Sequence, residues 1–115
     1  MEDSRRSTLE DLLALRRPLA SLRARLAQFP WDSEEDLVTL RPEHFVAVLA
    51  RFAAGELSAE EVEDWANAIE SREDVALAGE LVERALFQLA NPLITEPITL
   101  ASAAKLVAAL QSAAT

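Results

Sequence analysis

A chain of 115 residues with a formal charge of −9 and no cysteine is about one domain long, with room for a single hydrophobic core. The missing cysteine excludes a disulfide framework, thiolate catalysis and Cys-ligated zinc. The negative balance argues against direct nucleic-acid binding and against anionic membrane surfaces.

Half of the residues are hydrophobic, mostly Ala and Leu, and only two are glycine. Such strong helix formers predict an all-α fold, here a single compact bundle of roughly four to five helices with a kinked N-terminal helix. No apolar run approaches the roughly 20 residues that span a bilayer. The start, MEDSRRSTLEDLL, lacks the basic-then-apolar layout of a secretory signal, so the expected location is the cytoplasm.

Residues 1–7 are polar and charged and read as a disordered lead. Thr8, followed by Asp11, resembles a capping box and starts an Arg-rich amphipathic helix over 8–29. Leu12, Leu15, Leu19, Leu22, Leu26 and Phe29 alternate at spacings of three and four, a heptad-like seam. Pro18 removes an amide and disfavours helix at Arg17, predicting a kink or two abutting helices. Two readings of the seam compete. It is either the contact of a homodimer or the inner face of a helix packed on its own domain, and its short length favours the second.

The remaining residues, 30–115, read as the helical core of the same domain. Phe29-Pro30-Trp31 breaks the first helix, with Trp31 read as a cap over the core edge or, less favoured, as an exposed anchor for a partner. Ser33 with Asp36 predicts a short helical turn through about Leu40. Pro42 suits the first position of the next helix, and Phe45, Val48, Leu49 and Phe52 form its buried face. Gly55 ends it. Ser58 with Glu61 is a full capping box, and Val62, Trp65, Ala66 and Ile69 give the following helix one apolar side. Glu60, Glu63, Asp64, Asn67 and Glu70 project from the other side.

After a break at 72–74 comes a helix with Leu81, Val82, Ala85, Leu86 and Leu89 inward, its start blurred by Gly79 and its end set by Asn91-Pro92. The loop NPLITEPI over 91–98 is expected to pin Leu93, Ile94 and Ile98 to the core. Thr99 caps the last helix, with Ala103, Leu106, Val107 and Leu110 inward.

The chemistry-bearing inventory assigns no catalytic, cofactor-binding or metal residue. His44 is the only histidine and sits in a helix's first turn, where it reads as solvated or capping. One histidine cannot supply a helical di-iron site, and no nucleotide-binding or nucleophile-elbow motif occurs. The chain is therefore not expected to be an enzyme.

Charge placement is more informative. Residues 32–74 net −10 while the rest of the chain sums to +1. Within that segment Glu60 and Asp64 are like charges one helical turn apart, which costs a few tenths of a kcal/mol, roughly. Such a stripe is either solvated surface that aids solubility or a face suited to a basic surface, on a separate protein or on the chain's own Arg-rich first helix.

Phe52–Trp65, FAAGELSAEEVEDW, resembles the helical bacterial immunity proteins that neutralise colicin-type tRNA-cleaving toxins. Residues 30–75 are also similar to other small bacterial proteins. The immunity-protein resemblance implies a non-enzymatic, acidic, all-helical protein that presents carboxylates to a nuclease-type toxin. It implicates Glu56, Glu60, Glu61, Glu63 and Asp64, to which the charge pattern adds Glu70. The chain departs from that group in carrying a long Arg-bearing N-terminal helix.

Overall fold

The computed structural model describes residues 2–29 and 37–114. They form six helices and one small parallel sheet: α1 (Glu2–Ala14), α2 (Leu19–Leu26), β1 (Val38–Leu40), α3 (Pro42–Ala53), α4 (Ala59–Glu70), β2 (Val75–Leu77), α5 (Glu80–Ala90) and α6 (Leu100–Ala114). The expected all-α character holds, with more helices than the sequence suggested. The readings at Trp31 and at Ser33–Asp36 lie outside the described residues. No helix among those described is long and apolar enough to cross a membrane.

The front of the chain differs most from expectation. Helix α1 starts at Glu2, so the lead expected to be disordered is helical from there on, and Thr8 is buried within the helix rather than at its cap. Leu9, Leu12 and Leu13 supply its buried stripe. Arg5 ties it to the far side of the domain by bonding Asp74.

The expected break before Pro18 is a complete turn. The Leu15 amide donates to the Leu12 carbonyl at 3.1 Å and the Arg16 amide to the Asp11 carbonyl at 3.0 Å. These are the paired bonds of a Schellman helix end. Its left-handed position is filled by Leu15, with φ 49°. A leucine there costs about 1–2 kcal/mol. Two contacts hold it: its side chain is buried, and Arg51 Nη1 donates to its carbonyl at 2.6 Å. Gly55, φ 84°, closes α3 with the same bond pattern and needs no such support.

The segment 38–40, expected as the end of a helical turn, is strand. It pairs in parallel with 75–77 in the register Val38↔Val75, Thr39↔Ala76 and Leu40↔Leu77. Three residues are too few to display a period of two against the helical background. Helices α3 and α4 make the crossover that a parallel pair requires.

One contiguous core runs from Leu9 to Leu110. Trp65 sits at its centre, edge-on to Phe45 with ring centroids 5.6 Å apart, and its indole nitrogen donates to the Leu12 carbonyl at 2.8 Å. One residue thus fixes α4 against both α1 and α3. Helix α4 then lies along α5, and α3 along α6. Most of the inward faces expected for α3, α5 and α6 are buried, while Phe52, Leu81 and Val107 pack against the core only partly buried.

The heptad-like seam belongs to this core. Leu12, Leu15, Leu22 and Leu26 are buried in it and Leu19 packs against it. A coiled coil between chains would have to withdraw these side chains from their own domain.

Candidate functional site

Helix α4 is built in two halves of opposite character. Its start is fixed by the capping box: the Glu61 amide donates to Ser58 Oγ at 3.1 Å, and the Ser58 amide donates to Glu61 Oε1 at 2.9 Å. Its inner side buries Val62, Trp65, Ala66 and Ile69, each large side chain contributing about 1.5–3 kcal/mol. That anchoring holds the helix from its inner side. On the outer side Glu60, Asp64 and Glu70 are exposed and Glu63 is half-buried.

The structure sorts the six acids implicated by the sequence into three groups. Glu60, Glu63 and Asp64 line one wall of a groove of about 530 Å³, whose other wall is Pro92, Leu93 and Ile98. Glu56 and Glu61, with Asp64 again, border a smaller cleft of about 290 Å³ against Arg16, Arg17 and Arg51 at the α1–α2 corner. Glu70 lies outside both. The acidic face is therefore two surfaces that meet at Asp64.

Those two surfaces differ in how far the chain neutralises them. On the side of the small cleft Arg51 approaches Glu56 at 3.8 Å, and Glu61 is held by its capping role. Arg16 and Arg17 turn to Asp11, at 3.2 and 3.5 Å. Arg23 reaches Asp64, but through the backbone carbonyl at 3.4 Å and not the carboxylate. Of the arginines at the front of the chain, Arg5, Arg16 and Arg17 therefore pair away from α4, and Arg23 touches α4 only through its backbone. Among the described residues no cation lies within 4.0 Å of the carboxylates of Glu60, Glu63, Asp64 or Glu70.

The opposite wall contains residues that the sequence reading misplaced. Leu93 and Ile94 were expected in the core, yet Leu93 is 99% exposed and Ile94 74%. Only Ile98 packs against the core, and only partly. The turn that carries them is firmly held. Thr95 Oγ1 donates to the carbonyls of Gln88 and Asn91 at 2.9 and 2.6 Å, and the Ile94 and Thr95 amides both donate to the Asn91 carbonyl. Ser102 Oγ donates to the Pro97 carbonyl at 2.7 Å. Two prolines fix φ at either end. Such a loop has no helical period to say which side chains face in, so hydrophobicity alone misled.

His44 is a capping residue. Its Nδ1 accepts from the Arg41 amide at 2.9 Å, which leaves the ring's proton on Nε2. Burial lowers its pKa below the ordinary value; Glu43 opposes this, and Arg41 and Arg16 add to the lowering. Among the described residues no three His, Asp or Glu side chains are grouped to hold a metal ion.

No protein-family model, curated protein or solved structure matches this chain. The case for a function therefore rests on the geometry and chemistry of the surface.

Proposed function

We propose that this chain is a non-enzymatic interaction protein that binds a basic protein partner through the acidic face of α4. The observation that carries the reading is the set of unpaired carboxylates on Glu60, Glu63 and Asp64 in one groove. Among the described residues Asp11, Glu56, Asp74, Glu80 and Glu96 each have a cation within 4.0 Å, whereas Glu10, Glu43, Glu70, Glu73 and Glu83 have none either, so what singles out the α4 acids is that three of them share one groove. Clustered unpaired charge raises the association rate with an oppositely charged partner and sets its orientation. The resemblance at Phe52–Trp65 supports a nuclease-type toxin as that partner.

The decisive experiment immobilises the purified chain and challenges it with the basic proteins encoded beside it. Reversing Glu60, Glu63 and Asp64 to Lys should abolish capture with the helical circular dichroism unchanged. A control reversal of Glu43, Glu73 and Glu83 alters the net charge equally and should retain capture. If both variants capture as well as the parent, the α4 face is not the binding surface.

Self-association through the Leu12–Leu26 seam finds no support in the fold, which uses those residues internally.

A further inference from the structure

Resting on that reading, we infer that the groove between α4 and the 91–98 turn seats one amphipathic helix of the basic partner, with its apolar side on Leu93 and its Lys or Arg side on Glu60, Glu63 and Asp64. The groove joins two features that a docking helix must meet together. One wall is apolar and held outward: Leu93 stands 99% exposed on a turn braced by Thr95 and Ser102. A rigid turn has little conformational freedom to lose when it is covered. The other wall is acidic and lacks internal cations.

The charge selects the occupant. A second copy docking about a two-fold axis would bring Glu60, Glu63 and Asp64 towards their own counterparts, in a chain that already carries −9. Nucleic acid and anionic lipid would be repelled in the same way.

The backbone selects the secondary structure. An extended segment binds by adding to an open strand edge, whereas this wall is the first two turns of α4, a helix that presents no strand edge. Side chains must therefore make the contact. Glu60 and Asp64 are one turn apart, so cations at the same spacing on a second helix would meet them along about 6 Å. Helix-in-groove docking uses this periodicity.

The test uses a synthetic helical peptide of about 18 residues, five turns, with Leu at i, i+3, i+4 and i+7 and Lys or Arg on the flank. A scrambled peptide of identical composition lacks the stripe. Fluorescence anisotropy should show the striped peptide binding at least about tenfold more tightly than the scrambled one, since one buried leucine is worth about that factor. Leu93→Asp, at a site with no packing to lose, should weaken binding by at least about tenfold while leaving the fold unchanged.

Equal affinity for both peptides, or indifference to Leu93→Asp, overturns the helix-in-groove inference. It would still leave acidic-face binding standing if the Glu60, Glu63 and Asp64 reversal abolishes capture of the basic partner. Indifference to that reversal would remove the broader reading as well. A dimer in sedimentation that dissociates on Leu93→Asp would show that a second copy covers the groove, and would likewise overturn the inference.

Discussion

Asp74 and the acids of α4 come from the same acidic third of the chain, yet the fold treats them in opposite ways. Asp74 is 0% exposed and receives two guanidinium groups. Arg72 donates to both its oxygens at 2.8 and 2.9 Å, and Arg5 donates to Oδ2 at 3.1 and 2.9 Å. Its backbone carbonyl also receives the Leu37 amide at 2.8 Å, so one residue joins helix α1, the sheet and the end of α4. The carboxylates of Glu60, Glu63 and Asp64 have no cation within 4.0 Å among the described residues, and the side-chain bonds at Glu63 and Asp64 go to their backbone carbonyls, from Asn67 and Arg23. Where the architecture needs an acid, the chain brings an arginine from 69 residues away. On α4 it supplies carboxylates without cations, and the buried opposite face anchors the helix.

The contrast is most easily broken at Asp74. Asp74→Ala leaves two arginines facing each other around an empty site and should cost about 3 kcal/mol, read from chemical denaturation. A loss near zero would mean that the clamp is decoration. Acid sharpens the same point. Burial raises the Asp74 pKa, but the hydrogen bonds and charges of Arg72 and Arg5 outweigh it, so the carboxyl stays below its ordinary 3.8. The unfolded chain therefore takes up the proton first as pH falls. The clamp's contribution should be complete above about pH 5 and fade as pH drops through 3.8 and below. A pH series of denaturation curves should show this loss in the parent and a flatter profile in Asp74→Ala.

A smaller effect is expected at His44. Its folded pKa lies below the ordinary 6.5, so the neutral ring's stabilisation is full above that value and declines as pH falls beneath it. The decline should vanish in His44→Asn, whose side-chain oxygen can still accept from the Arg41 amide.

The smallest effect belongs to α4. Glu60→Gln with Asp64→Asn relieves a like-charge pair one turn apart but also removes the favourable charge of Glu60 at the helix N-terminus, so stability should change by no more than a few tenths of a kcal/mol, roughly. A substantial loss would mean that these carboxylates serve the fold after all.

The legible parts of the fold were those written in local chemistry. Ser58 with Glu61, Gly55 and Pro42 mark helix ends by capping and backbone geometry, and Phe45, Val48 and Leu49 mark a face by period. The left-handed turn at Leu15 was hidden because the residue that fills it is a leucine held by Arg51, not a glycine. Strands of three residues carried too little pattern. The Arg5–Asp74 clamp depends on a contact between distant positions, and no window along the chain contains both residues.

The candidate site divides along the same line. Its acidic wall was readable, because helix periodicity places Glu60, Glu63 and Asp64 opposite Trp65. Its apolar wall was not, because Leu93 sits on a proline-bounded turn where nothing in the sequence distinguishes an outward leucine from a buried one.

The most direct measurement neutralises the acidic wall without reversing it. Glu60→Gln, Glu63→Gln and Asp64→Asn are combined, and the partner's dissociation constant and the melting temperature are read on the same preparations. The expected result is affinity lower by at least about tenfold, equivalent to about 1.4 kcal/mol, at a little-changed melting temperature. Undiminished affinity would contradict the assignment of α4 as the binding face.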